Sequence, residues 1–151
     1  MDLLGTSFCK LCFVLPALFM ITMSGVGAAH AAQLREGDRA PDLTLKNQDG
    51  QDVTLSNIWG ERIVVLYFYP MDDTPGCTKE ACFFRDMSRD FHQAGAEIFG
   101  VSVDDVDSHK KFAQKHRLPF TLLADPEKKA AERYGVKSRL MFGKAKRTTF
   151  V

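Results

Sequence analysis

The sequence lacks a strong charge of either sign. Twenty Lys and Arg stand against nineteen Asp and Glu, a formal net charge of +1 over 151 residues. Nothing electrostatic therefore favours nucleic acid as a partner. Cysteine is scarce, at four residues. Two of them, Cys77 and Cys82, have no second Cys/His pair at ligand spacing after them, which argues against a zinc site. The acidic run Asp104-Asp105-Val106-Asp107 lacks the glycine and terminal glutamate of an EF-hand loop, so it reads as a helix-start loop and not a calcium site. Internal repeats and low-complexity linkers are missing too, and the length suits one domain.

What is present begins with an apolar block, LCFVLPALFMITM, at residues 11–23. It follows the single cation Lys10 and precedes small residues ending in Ala29-His30-Ala31. That order describes a secretory signal peptide over 1–31, cleaved before Ala32 to leave a domain at 32–151. It implies export to the periplasm or another extracytoplasmic compartment, with no stable membrane association after cleavage. The alternative is an uncleaved membrane anchor, since no charge separates Lys10 from Arg35. Pro16, Gly25 and Gly27 make a poor spanning helix, and the apolar core is shorter than the roughly 20 residues a bilayer needs. Cleavage removes Asp2 with Lys10, and also Cys9 and Cys12, whose C-x-x-C spacing is a decoy because no βαβ pattern adjoins it. A chain of about 120 residues buries roughly two-thirds of its unfolded surface, enough for a core without disulfide staples.

Along that domain, Leu43-Thr44-Leu45 and Val53-Thr54-Leu55 flank Asn47-Gln48-Asp49-Gly50 and predict a hairpin. The continuous apolar run Ile63-Val64-Val65-Leu66-Tyr67-Phe68 predicts a strand covered on both faces. A helix is expected over 77–93, ending near Gly95, then a strand over 97–103 with Gly100 as its weak point. Asp107 is the expected cap of a helix running to about Arg117, and His92, His109 and His116 are expected on solvated surface. A short strand at 119–123 precedes a helix opened by Pro126 and closed by Gly135, and the chain ends in a strand at Thr148–Val151. Apolar strands alternating with helices imply an α/β sheet domain.

The stretch YPMDDTPGCTKEAC at 69–82 carries the chemistry. Pro75-Gly76 favours a sharp strand-to-helix turn, and a Cys77 thiolate at the helix start meets unpartnered amides and the positive end of the helix dipole. Thr74 is placed so that its hydroxyl could reach the sulfur or a reacting oxygen, and Glu80 so that it could cap the first turn. Cys77, Glu80, Phe84, Met87 and Phe91 share the core-facing stripe. Cys82 lies about 140° around the helix, with the two Cα atoms roughly 8.6 Å apart. A disulfide rarely spans more than about 7 Å. The two cysteines therefore never bond, or the helix unwinds locally when they do.

Pro70-Met71-Asp72-Asp73-Thr74-Pro75-Gly76-Cys77 matches the P-x-x-x-T-x-x-C motif of peroxiredoxins. The fuller FYPMDDTPGCTKEAC resembles the bacterioferritin comigratory protein / peroxiredoxin Q branch, with the second cysteine five residues after the first. GDRAPDLTLKNQDGQDVTLS, GVSVDDVDSHKKFAQKHRLPFTLLADP and AKRTTFV extend the resemblance over residues 36–151. It implies a thioredoxin-like fold, a central mixed sheet flanked by helices, that reduces hydrogen peroxide and organic hydroperoxides. Cys77 would be the peroxidatic nucleophile and Cys82 the resolving cysteine of an intramolecular disulfide. Thr74 and Arg147 would hold the peroxide, and Pro70 would shield the sulfur. A thioredoxin-like donor would recycle the enzyme, no metal or organic cofactor is required, and a monomer is the usual state in this branch.

Two features depart from that pattern. Family members continue for a further strand, a turn and a closing helix beyond the position of Val151, so a C-terminally incomplete domain is expected. Export also puts a thiol peroxidase in an oxidising compartment, where its reductant is unnamed. Two other functions compete with the peroxidase. A general thiol–disulfide oxidoreductase is disfavoured because C-x-x-x-x-C replaces C-x-x-C. A non-catalytic remnant would show ordinary, slow reactivity at Cys77.

Overall fold

The computed structural model describes residues 34–151; the expected signal peptide and the Cys9/Cys12 pair lie outside the described residues. Among the described residues, six strands and three α-helices follow in order: β1 (Thr44–Asn47), β2 (Asp52–Thr54), β3 (Ile63–Phe68), α1 (Pro75–Gln93), β4 (Ala96–Ser102), α2 (Val106–His116), β5 (Thr121–Ala124), α3 (Lys129–Arg133) and β6 (Thr148–Phe150), with a short 3-10 turn at Leu55–Asn57. The strands form one mixed sheet in the order β2-β1-β5-β4-β3-β6. β3, β4 and β5 run parallel, while β1, β2 and β6 pair antiparallel.

The unbroken apolar run of β3 serves two cores. Val65 and Tyr67, with Tyr69 beyond the strand, meet α1 through Cys77, Ala81 and Phe84, and α2 through Phe112 and Ala113. Leu66 and Phe68 pack on the opposite face with Phe99, Val101, Ala130, Ala131 and Tyr134. Burial on both faces is what excludes polar residues from such a central strand. The expected hairpin forms with Leu45 opposite Val53. Its turn is held by the Asn47 side-chain oxygen, which accepts the amides of Asp49 and Gln51 at 3.0 and 2.9 Å.

Gly100 is a requirement of the sheet. A Cβ there would stand 2.6 Å from Tyr67 Oη and 2.8 Å from Leu122 Cδ2, below any tolerable contact. Tyr67 is buried and stacked on Phe84, so its ring has nowhere to go. Gly100→Ala is therefore expected to cost about 1–3 kcal/mol of stability by overpacking. Urea unfolding reads this directly, and an unchanged midpoint would mean that the Tyr67 ring yields freely.

Several expectations at element ends are corrected. α1 starts at Pro75, with Thr74 as its N-cap residue and Pro75 in the first turn, where a missing N–H costs nothing. Cys77 is thus the third helical residue, not the first. α2 is capped by Asp105, whose side chain accepts the Ser108 amide at 2.8 Å, while Asp107 stands inside the helix. α3 begins at Lys129, not Pro126, because Lys128 adopts a left-handed φ of 61°. The buried Asp125 carboxylate then accepts the Ala131 amide at 2.9 Å, with burial holding its pKa above the usual carboxylate value. Met87 is 37% exposed, so the core stripe of α1 narrows to Cys77, Ala81 and Phe84, with Phe91 packed alongside.

Candidate active site

Cys77 sits where β3 ends and α1 begins, and it is only 2% exposed. Two groups act on it, and a third holds one of them. The first turn of α1 directs unpartnered amides and the positive end of the helix dipole towards this region. Arg147, seventy residues further along the chain, places Nη2 3.4 Å from Cys77 Sγ. Its other terminal nitrogen, Nη1, donates to Glu80 Oε2. Glu80 is therefore the guanidinium's partner and not the helix cap the sequence suggests. Burial raises the Glu80 pKa, and the Arg147 charge and hydrogen bond oppose that rise.

Gly76 makes the approach possible. A Cβ at this position would lie 3.2 Å from Arg147 Nη2, so the missing side chain leaves the guanidinium its place over the helix start. Arg147 immediately precedes β6, whose antiparallel register with β3 pairs Thr148 with Phe68. The sheet thereby delivers the guanidinium to the end of the strand that leads to Cys77.

The other expected site residues fall as follows. Thr74 Oγ1 donates to the Met71 carbonyl at 3.3 Å, bracing the loop instead of contacting the sulfur. Pro70 is half-buried at the exit of β3. Cys82 is half-buried on the same continuous helix, and both thiols are free. With α1 intact through both positions, the roughly 8.6 Å separation expected of ideal helical geometry stands, and a bond between them needs local unwinding.

A buried polar cluster beneath the loop was missed by the sequence reading. His109 is fully buried, not solvated. Its Nδ1 lies 2.9 Å from Asp72 Oδ2 and its Nε2 3.2 Å from the Leu123 carbonyl. Asp72 also accepts the hydroxyls of Tyr69 at 2.7 Å and Ser108 at 2.8 Å. The Asp72 amide in turn donates to Asp104, which accepts the Ser102 hydroxyl. These bonds tie the 70–74 loop to β4, β5 and α2. One signal was available: His109, Phe112 and Ala113 are spaced i, i+3, i+4, the signature of one buried face. His92 is exposed as expected; His116 is instead mostly covered, at 17% exposure, with its ring against Phe112, and shares Asp73 with Lys115.

Residues 36–151 match the AhpC/TSA family. The chain belongs to that family. Among curated relatives, it is 50% identical over 124 residues to the chloroplastic peroxiredoxin Q of Suaeda salsa, covering 82% of this chain and 58% of that protein. It is 51% identical over 119 residues to the chloroplastic peroxiredoxin Q of Triticum aestivum, covering 79% and 54%. The chain thus spans little more than half the length of these relatives. The crystal structure of the peroxidoxin BcpB from Mycobacterium tuberculosis superposes with a TM-score of 0.71 at 43% identity, covering 76% of each chain. A peroxiredoxin Q of Xanthomonas campestris gives 0.66 at 36% identity, covering 72% and 71%. The mixed sheet with its flanking helices is the thioredoxin-like fold of those AhpC/TSA structures.

Proposed function

We propose that the chain is a thiol-dependent peroxidase acting on hydrogen peroxide and organic hydroperoxides, with Cys77 as nucleophile. The observation that carries this reading is the Arg147 Nη2–Cys77 Sγ contact of 3.4 Å at a helix N-terminus. Two sources of positive potential meet at one sulfur, the setting in which a thiolate is held ready for attack.

The thiolate attacks the terminal oxygen of the hydroperoxide. The O–O bond breaks, and the leaving alkoxide or hydroxide takes a proton to depart as alcohol or water. Cys77 becomes a sulfenic acid, two electrons oxidised. The first turns of α1 then unwind, and the Cys82 sulfur attacks that of Cys77, releasing water and forming the disulfide. A dithiol donor of thioredoxin type restores both thiols by exchange and leaves as a disulfide. Thr74 and Arg147 contact the peroxide oxygens in this reading, and Pro70 limits water at the sulfur.

A Cys9→Ser/Cys12→Ser chain, reduced and treated with one equivalent of hydrogen peroxide, tests the scheme by intact mass. Loss of two hydrogens is expected within seconds, replaced by gain of one oxygen when Cys82→Ser is added. An unchanged mass over minutes would favour the non-catalytic reading, and insulin reduction without peroxide would favour a general oxidoreductase. The exported location of this activity rests on the N-terminal sequence pattern alone.

A further inference from the structure

The last sixteen residues, 136–151, contain no Asp or Glu and five cations: Lys137, Arg139, Lys144, Lys146 and Arg147. Lys137 is paired with Glu132 and Arg147 with Glu80. Among the described residues, no ion pair engages Arg139, Lys144 or Lys146. The tip of this segment is apolar and bare: Leu140 is 95% exposed, Phe142 90% and Met141 39%.

The tip is built rather than loose. Its base closes through the Lys137–Ala145 bridge, and the Ser138 amide donates to the Lys144 carbonyl at 2.9 Å. Gly143 and Lys144 amides return to Ser138 and Met141 carbonyls at 2.8 and 3.0 Å. Lys128 Nζ holds the Phe142 carbonyl at 2.9 Å. Phe142 itself is fixed at a φ of 52°, a left-handed conformation that bulky residues seldom adopt. Bonds and strain together hold an aromatic ring in water, a combination that marks function more often than accident.

Large apolar side chains on a protrusion ringed by unneutralised cations suit one kind of surface. Leu and Phe enter the boundary between headgroups and acyl chains, while Lys and Arg meet anionic phosphates. A bilayer accepts such a protrusion without the shaped pocket a protein partner would need. We propose that the Leu140–Phe142 turn docks the domain reversibly on an anionic lipid surface. This attachment is peripheral and independent of the N-terminal apolar block.

Docking would bring the candidate site with it. Arg147, which contacts Cys77, belongs to the same segment, and Lys144 Nζ lies 3.2 Å from Met71 Sδ in the active-site loop. If the peroxidase reading above holds, the substrates met there are hydroperoxides carried by lipids; the docking itself does not rest on that reading.

A full-length chain carrying Trp59→Phe and Phe142→Trp has its only tryptophan at the tip. It is titrated with vesicles of phosphatidylglycerol and phosphatidylcholine in equal parts, and with phosphatidylcholine alone. The anionic vesicles should shift the emission to the blue and reduce iodide quenching about threefold or more, as expected of an indole entering the headgroup boundary. Arg139→Glu/Lys146→Glu should abolish both changes. Attachment through the N-terminal block would be indifferent to lipid charge and leave the indole quenchable, which overturns the proposal. A blue shift produced by an acidic thioredoxin and not by vesicles overturns it in favour of a protein partner. Because Trp59 packs against the core, a second readout leaves it in place. Leu140→Ser/Phe142→Ser should lower the excess flotation with anionic over neutral vesicles about tenfold or more, and an undiminished excess counts against docking.

Discussion

Arg147→Ala is expected to slow the proposed oxidation of Cys77 by hydrogen peroxide by about 10²–10³-fold, the loss typical of removing one preorganised donor from developing negative charge. The guanidinium gives Nη2 to the sulfur and Nη1 to Glu80, so its removal does two things at once. The sulfur loses a donor, and the half-buried Glu80 carboxylate loses the charge that opposes its burial. Glu80 then stands as an anion or a neutral acid near a thiolate, and neither stabilises it. Arg147→Lys recovers only part of the rate, because a lone ammonium cannot hold both partners in the planar fork. Stopped-flow oxidation of the reduced protein measures the effect. The Arg147 side chain is 42% exposed, so a fold change is not expected, and a melting curve checks that. A loss below about threefold would remove Arg147 from the chemistry.

His109→Leu is expected to cost about 1–3 kcal/mol, the usual consequence of leaving buried hydrogen-bonding groups without their partner. Asp72 would keep the hydroxyls of Tyr69 and Ser108 but lose the ring at 2.9 Å, leaving a buried carboxylate one hydrogen bond short. The Leu123 carbonyl loses its donor as well. Because Asp72 anchors the loop between β3 and α1, the damage reaches the active site. The surviving folded protein should lose peroxide reactivity while Arg147 remains in place. Denaturant unfolding of His109→Leu, Asp72→Asn and the double variant forms a cycle, and strong non-additivity is the expected sign of direct coupling. A single-variant loss under about 1 kcal/mol would show that water replaces the imidazole without penalty.

The sequence identifies the local chemistry well. Pro75 and Gly76 behind Thr74 announce a helix start, and the apolar runs of β3 and β4 announce buried parallel strands, because these signals lie within a few residues of what they predict. The roughly 8.6 Å separation of Cys77 and Cys82 follows from helical geometry alone. Element ends were less legible. Asp105 and Asp107 are both competent caps, and the extended backbone of Asp105, with ψ at 173°, decides between them; a left-handed Lys128 has no sequence signature.

Two relations were decided by tertiary structure. Arg147 reaches Cys77 across seventy residues because β6 pairs with β3 in one register, with Thr148 opposite Phe68. Spacing along the chain carries no trace of that, and only the family resemblance pointed to it. His109 reads as surface because Ser108, Lys110 and Lys111 surround it in sequence. A titratable side chain is buried only where other elements supply its hydrogen bonds, and here Asp72, Tyr69 and Leu123 arrive from two separate parts of the sheet. The sequence by itself determined a cysteine at a helix start; the sheet register and the buried cluster decided what surrounds it there, because both depend on contacts between residues far apart in the chain.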